Sequence, residues 1–334
     1  MPHASDAANH VPVLLAESIA ALDVQPDGTY VDGTFGRGGH SRAILAALSG
    51  HGRLVAIDRD PQAEAAAGAI ADPRFTFRRA RYSEMREVLA GLAIDRVDGV
   101  LLDLGVSSPQ LEDPSRGFTF RFDGPLDMRM DPTRGESAAE FIARASIDEL
   151  TEVIRNYGEE RFAQSVARAI AKAREVRPIV STRQLADVVA QAIGARTRGD
   201  WRQDPAARTF QALRIAVNRE LDELSAALPA VVPLLASGGR LAVISFHSLE
   251  DRIVKRFIAW ASRPFGGDSR LARMAIREQA LPPTPLVAIG RAIKPSEREI
   301  AANPRARSAV LRVAQRTPSA LPASWPRGFA MELQ

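Results

Sequence analysis

The stretch Asp32-Gly33-Thr34-Phe35-Gly36-Arg37-Gly38-Gly39-His40 decides the fold. It follows a short run of strand formers, Thr29–Asp32, and leads into Ser41–Leu48, which reads as a helix stopped near Gly50. Four glycines in seven residues let the backbone turn sharply and let a ligand approach it closely. The helix that follows presents unpaired N–H groups at its start. The spacing is not G-x-G-x-x-G, the register that cradles a pyrophosphate, and this weighs against a dinucleotide site.

Outward from this turn, strands and helices alternate. Arg53–Asp58, Phe75–Arg78 and Val97–Leu104 read as strands, with helices predicted over Ala63–Ile70 and Tyr82–Ala90. Near-continuous apolar strands joined by helical crossovers predict a parallel sheet in an α/β fold. Asp58 ends the second strand about 20 residues past the glycine turn, where an acid grips ribose hydroxyls. Asp60, directly before Pro61, is the better helix cap. Asp103-Leu104-Gly105-Val106-Ser107-Ser108-Pro109-Gln110 closes the fourth strand. A carboxylate there can accept from an amine, and Gln110 can read a polar group, while the same residues also suit a Ser-shaped turn.

The alternation breaks after Leu104. Gly105–Gly135 is rich in Gly, Pro, Ser and Asp and has no period, which marks a long loop. Helical signals follow: capping boxes at Ser146–Glu149 and Ser181–Gln184, and one apolar face at Phe162, Val166 and Ile170. Gly194 reads as the stop of a helix over Leu185–Ile193. Phe210, Leu213, Val217, Leu221, Leu224 and Leu228 predict a single long amphipathic helix. A strand over Arg240–Phe246, a helix over Leu249–Trp260 and a closing strand over Ser308–Arg316 restore the α/β pattern. The implied organisation is an α/β domain in two parts, 1–109 and 206–316, a helical insertion over 110–205, and a flexible tail over 317–334.

Composition narrows the chemistry. The 334 residues include no cysteine, which removes disulfides, thiolate metal sites and any Cys nucleophile. The five histidines, at positions 3, 10, 40, 51 and 247, are scattered, and no metal site is expected. Net charge is +4, and only Lys172, Lys255 and Lys294 among the 44 basic residues are lysines, leaving 41 arginines. Arg-rich codon usage yields the same total, so position must decide their role. No uninterrupted apolar run reaches the ~18 residues of a membrane span, and Met1–Asn9 lacks a basic segment before an apolar core. A cytoplasmic protein with no membrane partner is expected.

A series of motifs then runs in order along nearly the whole chain. They are HVPVLL (His10–Leu15), DGTFGRGGHS (Asp32–Ser41), DRDP (Asp58–Pro61), DLGVSSPQL (Asp103–Leu111) and RGFTFRFDGPLDMRMD (Arg116–Asp131). YGEERF (Tyr157–Phe162), TFQALRIAVNREL (Thr209–Leu221), SFHSLEDRIVK (Ser245–Lys255) and NPRARSAVLR (Asn303–Arg312) complete the set. The chain thereby resembles the RsmH (MraW) family, enzymes that use S-adenosylmethionine to methylate N4 of a cytidine in 16S ribosomal RNA. The resemblance implies a Rossmann-like class I S-adenosylmethionine-dependent methyltransferase fold with an inserted helical domain. It implies S-adenosyl-L-methionine as cofactor and 16S rRNA in the small ribosomal subunit as partner, at a cytidine near the decoding site. The insertion would then recognise RNA.

By the same resemblance, cofactor contacts fall on Gly38, Gly39, His40, Asp58, Tyr82, Asp103 and Gln110. Asp103 is also the candidate catalytic acceptor for the N4 hydrogens, and His247 a second candidate, as base or as helix cap. Amino-methyltransferases commonly carry Pro-Pro-aromatic after the acid, whereas this chain has Asp103-Leu104-Gly105-Val106. Phe118, Phe120 and Phe122 alternate with polar residues and read either as base-stacking groups or as an apolar plug. Arg116, Arg121 and Arg129 flank them as candidate RNA contacts, and Arg291, Lys294, Arg298, Arg305, Arg307 and Arg312 make the C-terminal region basic. Two other readings stay open: an NAD-dependent oxidoreductase, and a non-catalytic RNA-binding ribosome-assembly factor. The oligomeric state is also open, a homodimer included. The missing cysteine bears on the first reading, because methylation at cytosine C5 typically needs a Cys adduct and methylation of an exocyclic amine does not.

Overall fold

The computed structural model describes residues 12–197, 204–263, 284–321 and 325. His10 and Val11 of the first motif lie outside them. Two units emerge, one formed by residues up to Gly105 and from Leu221 onward, the other by Val106–Glu220. The first contains strands β1 (Thr29–Asp32), β2 (Arg53–Asp58), β3 (Phe75–Arg79), β4 (Val97–Asp103), β5 (Leu235–Ser245), β6 (Leu286–Ile293) and β7 (Val310–Arg316). In chain order the helices are α1 (Leu15–Leu22), α2 (Gly39–Ala47), α3 (Pro61–Ala67), α4 (Met85–Ala90), α5 (Ser108–Glu112), α6 (Ala138–Arg144) and α7 (Ile147–Gly158). They continue with α8 (Ala163–Val176), α9 (Thr182–Thr197), α10 (Ala206–Asn218), α11 (Glu220–Val231), α12 (Ser248–Ala261) and α13 (Glu297–Ala302). Among the described residues no helix is long and apolar enough to cross a membrane.

The seven strands form one sheet in the order β3-β2-β1-β4-β5-β7-β6. Strands β1 to β5 run parallel, and β7 lies antiparallel between β5 and β6. The strand order reverses between β1 and β4, which makes their carboxyl ends the switch point where ligands bind in open α/β sheets. Alternation along each strand explains the near-continuous apolar runs. Val31, Val55, Ile57, Val100, Leu102, Leu241 and Val243 pack on one core with Met85, Leu89, Leu224, Leu228 and Phe257. Their alternate neighbours Tyr30, Leu54, Leu101, Ala242 and Ile244 pack on another with Leu14, Leu22, Ile44 and Leu45. Both faces are covered, as the Rossmann-like expectation requires.

The second unit has its own core, built from Phe118, Leu126, Met128, Phe141, Leu150, Ile154, Val166, Ile170, Leu185, Val189, Phe210 and Leu213. Its extent differs from the expected 110–205, because α10 turns Phe210 and Leu213 into this core. Gly105–Gly135 is largely irregular as read, carrying only α5 and a single turn over Pro114–Arg116. Ser146 accepts from Glu149 N–H at 3.0 Å, and Gln184 accepts from Ser181 N–H at 3.1 Å, so the helix starts fall where expected.

Three expectations need correction. Gly194 does not end a helix; α9 continues to Thr197, since a single Gly inside a helix costs only about 1 kcal/mol. The predicted long helix is two, broken at Arg219, whose φ of 51° closes α10 with an N–H bond to Ala216. The side chain of Asn218 turns away to donate to Met128 O at 2.7 Å and accept from Met130 N–H at 2.8 Å. The tail is docked at several described residues: Thr317 donates its N–H to Pro285 O at 3.1 Å, Leu321 packs on the first core, and Trp325 lies 4.9 Å from the Trp260 ring and donates to Pro229 O at 3.0 Å. Residues 322–324 and 326–334 of that expected tail lie outside the described residues.

The irregular loop of the second unit depends on glycine at one point. Gly117 has φ +72°, and a Cβ there would lie 2.3 Å from the Pro125 carbonyl oxygen. Gly135 has φ +76° but open space around it. Gly135→Ala should therefore cost only the left-handed penalty of about 1–2 kcal/mol, and Gly117→Ala clearly more. Thermal unfolding of the two variants checks the order; equal melting temperatures would refute the clash.

Candidate active site

The carboxyl ends of β1, β2 and β4 each carry an acid: Asp32, Asp58 and Asp103. Asp32 is only 1% exposed. It accepts from the Ser41 hydroxyl at 2.6 Å and from Thr34 N–H at 3.2 Å. Burial pushes its carboxyl above the ordinary range, opposed by Ser41, the neighbouring His40 and the Thr34 amide. Thr34 carries the connection onward, since its Oγ1 accepts from Asp103 N–H at 2.6 Å. One threonine thus joins the ends of β1 and β4.

Between these strands the glycine turn is tightly enclosed. Gly36 and Gly38 have φ of 56° and 75°. A Cβ on Gly33 would lie 2.5 Å from Leu102 Cδ2, and one on Gly39 2.2 Å from Pro12 Cγ. Pro12 sits there because Leu14, itself at φ 52°, donates its N–H to Glu299 of α13 at 2.7 Å. The turn is a cradle without room for side chains at those positions, opening onto the start of α2.

Asp58 accepts from Gly36 N–H at 2.8 Å and Asp60 N–H at 2.9 Å, one bond to each oxygen. Each oxygen keeps a further lone pair for a ligand hydroxyl. Burial pushes this carboxyl up to about 6 in spite of the two N–H bonds. Asp60 is the cap of α3, accepting from Gln62 N–H, so the division of roles between the two acids holds locally. The intervening Arg59 pairs with buried Glu223 of α11 at 2.7 Å.

His40 is 5% exposed, and its Nε2 lies 3.5 Å from Asp103 Oδ2. Neither ring nitrogen, nor the buried Oδ1 of Asp103, has a well-formed hydrogen bond. Burial pulls the imidazole down, but Asp103 and Asp32 outweigh it and hold its titration above the ordinary value. Tyr82 is buried in the core with Val31, Ile57 and Met85. His247 sits at the start of α12, where Nδ1 accepts from Glu250 N–H at 3.4 Å and Nε2 lies 3.2 Å from Glu250 Oε1. Its geometry is that of the helix cap.

Gln110, Arg116, Arg121 and Arg129 belong to the other unit. Gln110 is buried and accepts from Ser107 N–H at 2.8 Å, closing the turn into α5. Arg116 is 7% exposed and donates to Arg129 O at 3.1 Å and Met130 O at 2.9 Å. Arg129 forms a bidentate pair with Asp127 and donates to Gly135 O. These two arginines brace the loop, and Arg121 alone of the three is exposed. Phe118 is buried and Phe120 packs edge-on against Phe210 at 4.9 Å, so both serve the plug. Phe122 is 57% exposed. In the C-terminal basic region, Arg312 is held by Asp251 at 2.7 and 2.9 Å. Thr34 lies within the glycine motif, but no sequence signal marks its role, which is a bond to Asp103, 69 residues away, and Glu223 lies outside every motif.

Known proteins match this chain over most of its length. A model of the MraW methylase family matches residues 7–317. The chain belongs to this family. It is 59% identical over 307 residues to "Ribosomal RNA small subunit methyltransferase H" of Azoarcus sp. (strain BH72), covering 92% of this chain and 96% of that one. It is 58% identical over 311 residues to the protein of the same name from Thiobacillus denitrificans, covering 93% and 98%. Among solved structures, an rRNA methylase from Streptococcus thermophilus is 11% identical with a TM-score of 0.39, covering 91% of this chain and 92% of that one. The strand order and directions in this MraW methylase give the Rossmann-like α/β sheet expected above, with a helical unit inserted in the chain between β4 and β5.

The link between β1 and β4 in this methylase can be tested directly. Thr34→Val removes the acceptor of Asp103 N–H and should cost about 1–3 kcal/mol, the penalty of an orphaned buried donor. Thr34→Ser keeps the oxygen and should cost less. Urea unfolding of both variants decides it, and equal stabilities would show that the bond contributes nothing.

Proposed function

We propose that this MraW methylase transfers the methyl group of S-adenosylmethionine to N4 of a cytidine near the decoding site of 16S rRNA in the small ribosomal subunit. The observation that carries this reading is Asp103: a carboxylate at the switch point whose side chain is 24% exposed, beside the tightly enclosed glycine turn. The names of the close relatives support the small subunit as the site of action.

S-adenosylmethionine supplies, when bound, a methyl group on a sulfonium. Gly39 and the start of α2 offer backbone N–H groups to its carboxylate, while Gly38, whose own N–H donates to Phe35 O at 2.7 Å, shapes the turn in its left-handed conformation. Asp58 accepts the ribose hydroxyls through its free lone pairs, and Tyr82 lines the adenine side. The N4 lone pair of cytosine is delocalised into the ring and is a poor nucleophile. The Asp103 carboxylate accepts an N4–H, localises that pair and takes the proton as positive charge develops on nitrogen. No covalent intermediate is needed, in keeping with a chain that has no cysteine. Catalysis then rests on alignment and on this acceptor. The exposed Arg121, with its neighbour Phe122, belongs to the RNA-facing surface of the helical unit.

Mass mapping of 16S rRNA from cells lacking the protein should show one methyl group missing from a decoding-site cytidine, restored by the wild-type gene and not by Asp103→Ala. Full modification without the protein would overturn the substrate assignment, and restoration by Asp103→Ala would move catalysis elsewhere. A second outcome follows from Asp58. Its carboxyl titrates at about 6, and the ionised form is the one that accepts both ribose hydroxyls. Affinity for S-adenosylhomocysteine should therefore fall as pH drops through about 6, by up to about tenfold per unit. Calorimetry of wild type and Asp58→Asn between about pH 5 and 8 checks this. The pH dependence should vanish in the variant, and its persistence would remove Asp58 from the cofactor.

A further inference from the structure

On the reading of Asp58 as the acid that takes the ribose, we propose that Glu223 of α11 is a positioning residue for it: by holding Arg59, Glu223 fixes the turn from which Asp58 meets the cofactor. Glu223 lies outside every motif that marks the site, and its route to the ligand runs through two other side chains.

Glu223 itself cannot touch a ligand. Its side chain is 4% exposed, and both carboxylate oxygens are sealed from solvent. A carboxylate in such a place is costly unless its charge is met. The next residue, Leu224, belongs to the same apolar core as Ile57 of β2 and Tyr82, so this turn of α11 faces the interior. The charge is met by Arg59, whose Nη2 lies 2.7 Å from Glu223 Oε2. The pairing is ionic, since neither oxygen is completed by a well-formed hydrogen bond. Burial pushes the carboxyl up, and the positive charges of Arg59 and then of Arg81, the neighbour of Tyr82, oppose that rise.

Arg59 is the middle residue of a turn that Asp58 closes on itself. One Asp58 oxygen accepts from Asp60 N–H at 2.9 Å, and the other accepts from Gly36 N–H at 2.8 Å. Asp60 in turn caps α3. Rotation of the backbone at Arg59 would break the Asp58–Asp60 bond and release the carboxylate from the glycine turn. A long side chain loose in water restrains its backbone little. One whose head is fixed on a helix restrains it firmly, because detaching the head strands a buried charge. Buried pairs of this kind often add little net stability over apolar residues of similar size, so anchoring the turn is the use that the pair is suited to. Asp58 is only half-buried, and a ligand can reach it where it cannot reach Glu223.

Calorimetry of the full-length protein with S-adenosylhomocysteine tests this. Glu223→Gln should bind about tenfold more weakly, the scale of one lost hydrogen bond to a charged group. In methyl transfer to small subunits its KM for S-adenosylmethionine should rise by a similar factor, with kcat at saturation within about threefold of wild type. In an Asp58→Asn background the same substitution should change affinity by less than about twofold, because its route to the ligand is already cut. A full tenfold loss there would overturn the positioning role, as would wild-type affinity in Glu223→Gln alone. Arg59→Met combined with Glu223→Leu replaces the pair by apolar side chains. It should melt close to wild type yet still bind about tenfold more weakly. Affinity that recovers together with the melting temperature would leave the pair a matter of folding alone. Wild-type protein that does not bind S-adenosylhomocysteine, or Asp58→Asn that binds it as wild type does, fails the ribose reading of Asp58 instead.

Discussion

The carboxylate of Asp32 is the constraint on which the site depends. It ends β1 almost completely removed from solvent, where an ionised group is costly unless it is bonded. The two bonds that satisfy it come from Thr34 N–H and the Ser41 hydroxyl, which lie on the far sides of the glycine turn. Satisfying one acid therefore folds the turn back on the strand and sets the start of α2. Thr34 then extends the same network to β4 through the Asp103 amide. Gly36 completes it toward β2, donating to Asp58. Three strand ends are held in register by side chains and turn amides, beyond the ladder bonds of the sheet.

This arrangement is held in place by the packing around it. Leu102 and Pro12 fill the space that side chains on Gly33 and Gly39 would need. Apolar layers cover both faces of the sheet behind the strand ends. Burial of so many titratable groups is unfavourable in itself, and Asp32, Asp58 and Glu223 all titrate above the ordinary carboxylate range because of it. The cores supply the stability that lets a methylase keep such a site.

Much of this was legible in the residues. The apolar runs, the glycine turn and the acids at strand ends are local signals, and each falls where its pattern put it. Other features resisted. Arg116 and Arg129 read as RNA contacts because arginines beside aromatics in a loop so often are, yet their guanidinium groups bind carbonyls and Asp127. The three phenylalanines of the loop look equivalent in sequence, while only Phe122 is exposed. The apolar period from Phe210 to Leu228 runs through the break at Arg219 because two helices in succession kept a compatible phase.

By itself the sequence determined the alternation of strands and helices, the sharp turn after β1, the insertion between β4 and β5, and a chemistry without thiols. These depend on spacing, on glycine's freedom and on composition, all of which are properties of neighbouring residues. Only the tertiary structure decided that Thr34 holds Asp103, that the His40 ring faces that acid, that Glu223 meets Arg59, and that Trp325 packs on Trp260. Each of those joins residues far apart in the chain. Whether a polar group is a ligand, a brace or a cap is settled by what surrounds it once water is excluded, because burial leaves it only the partners that the fold brings within reach.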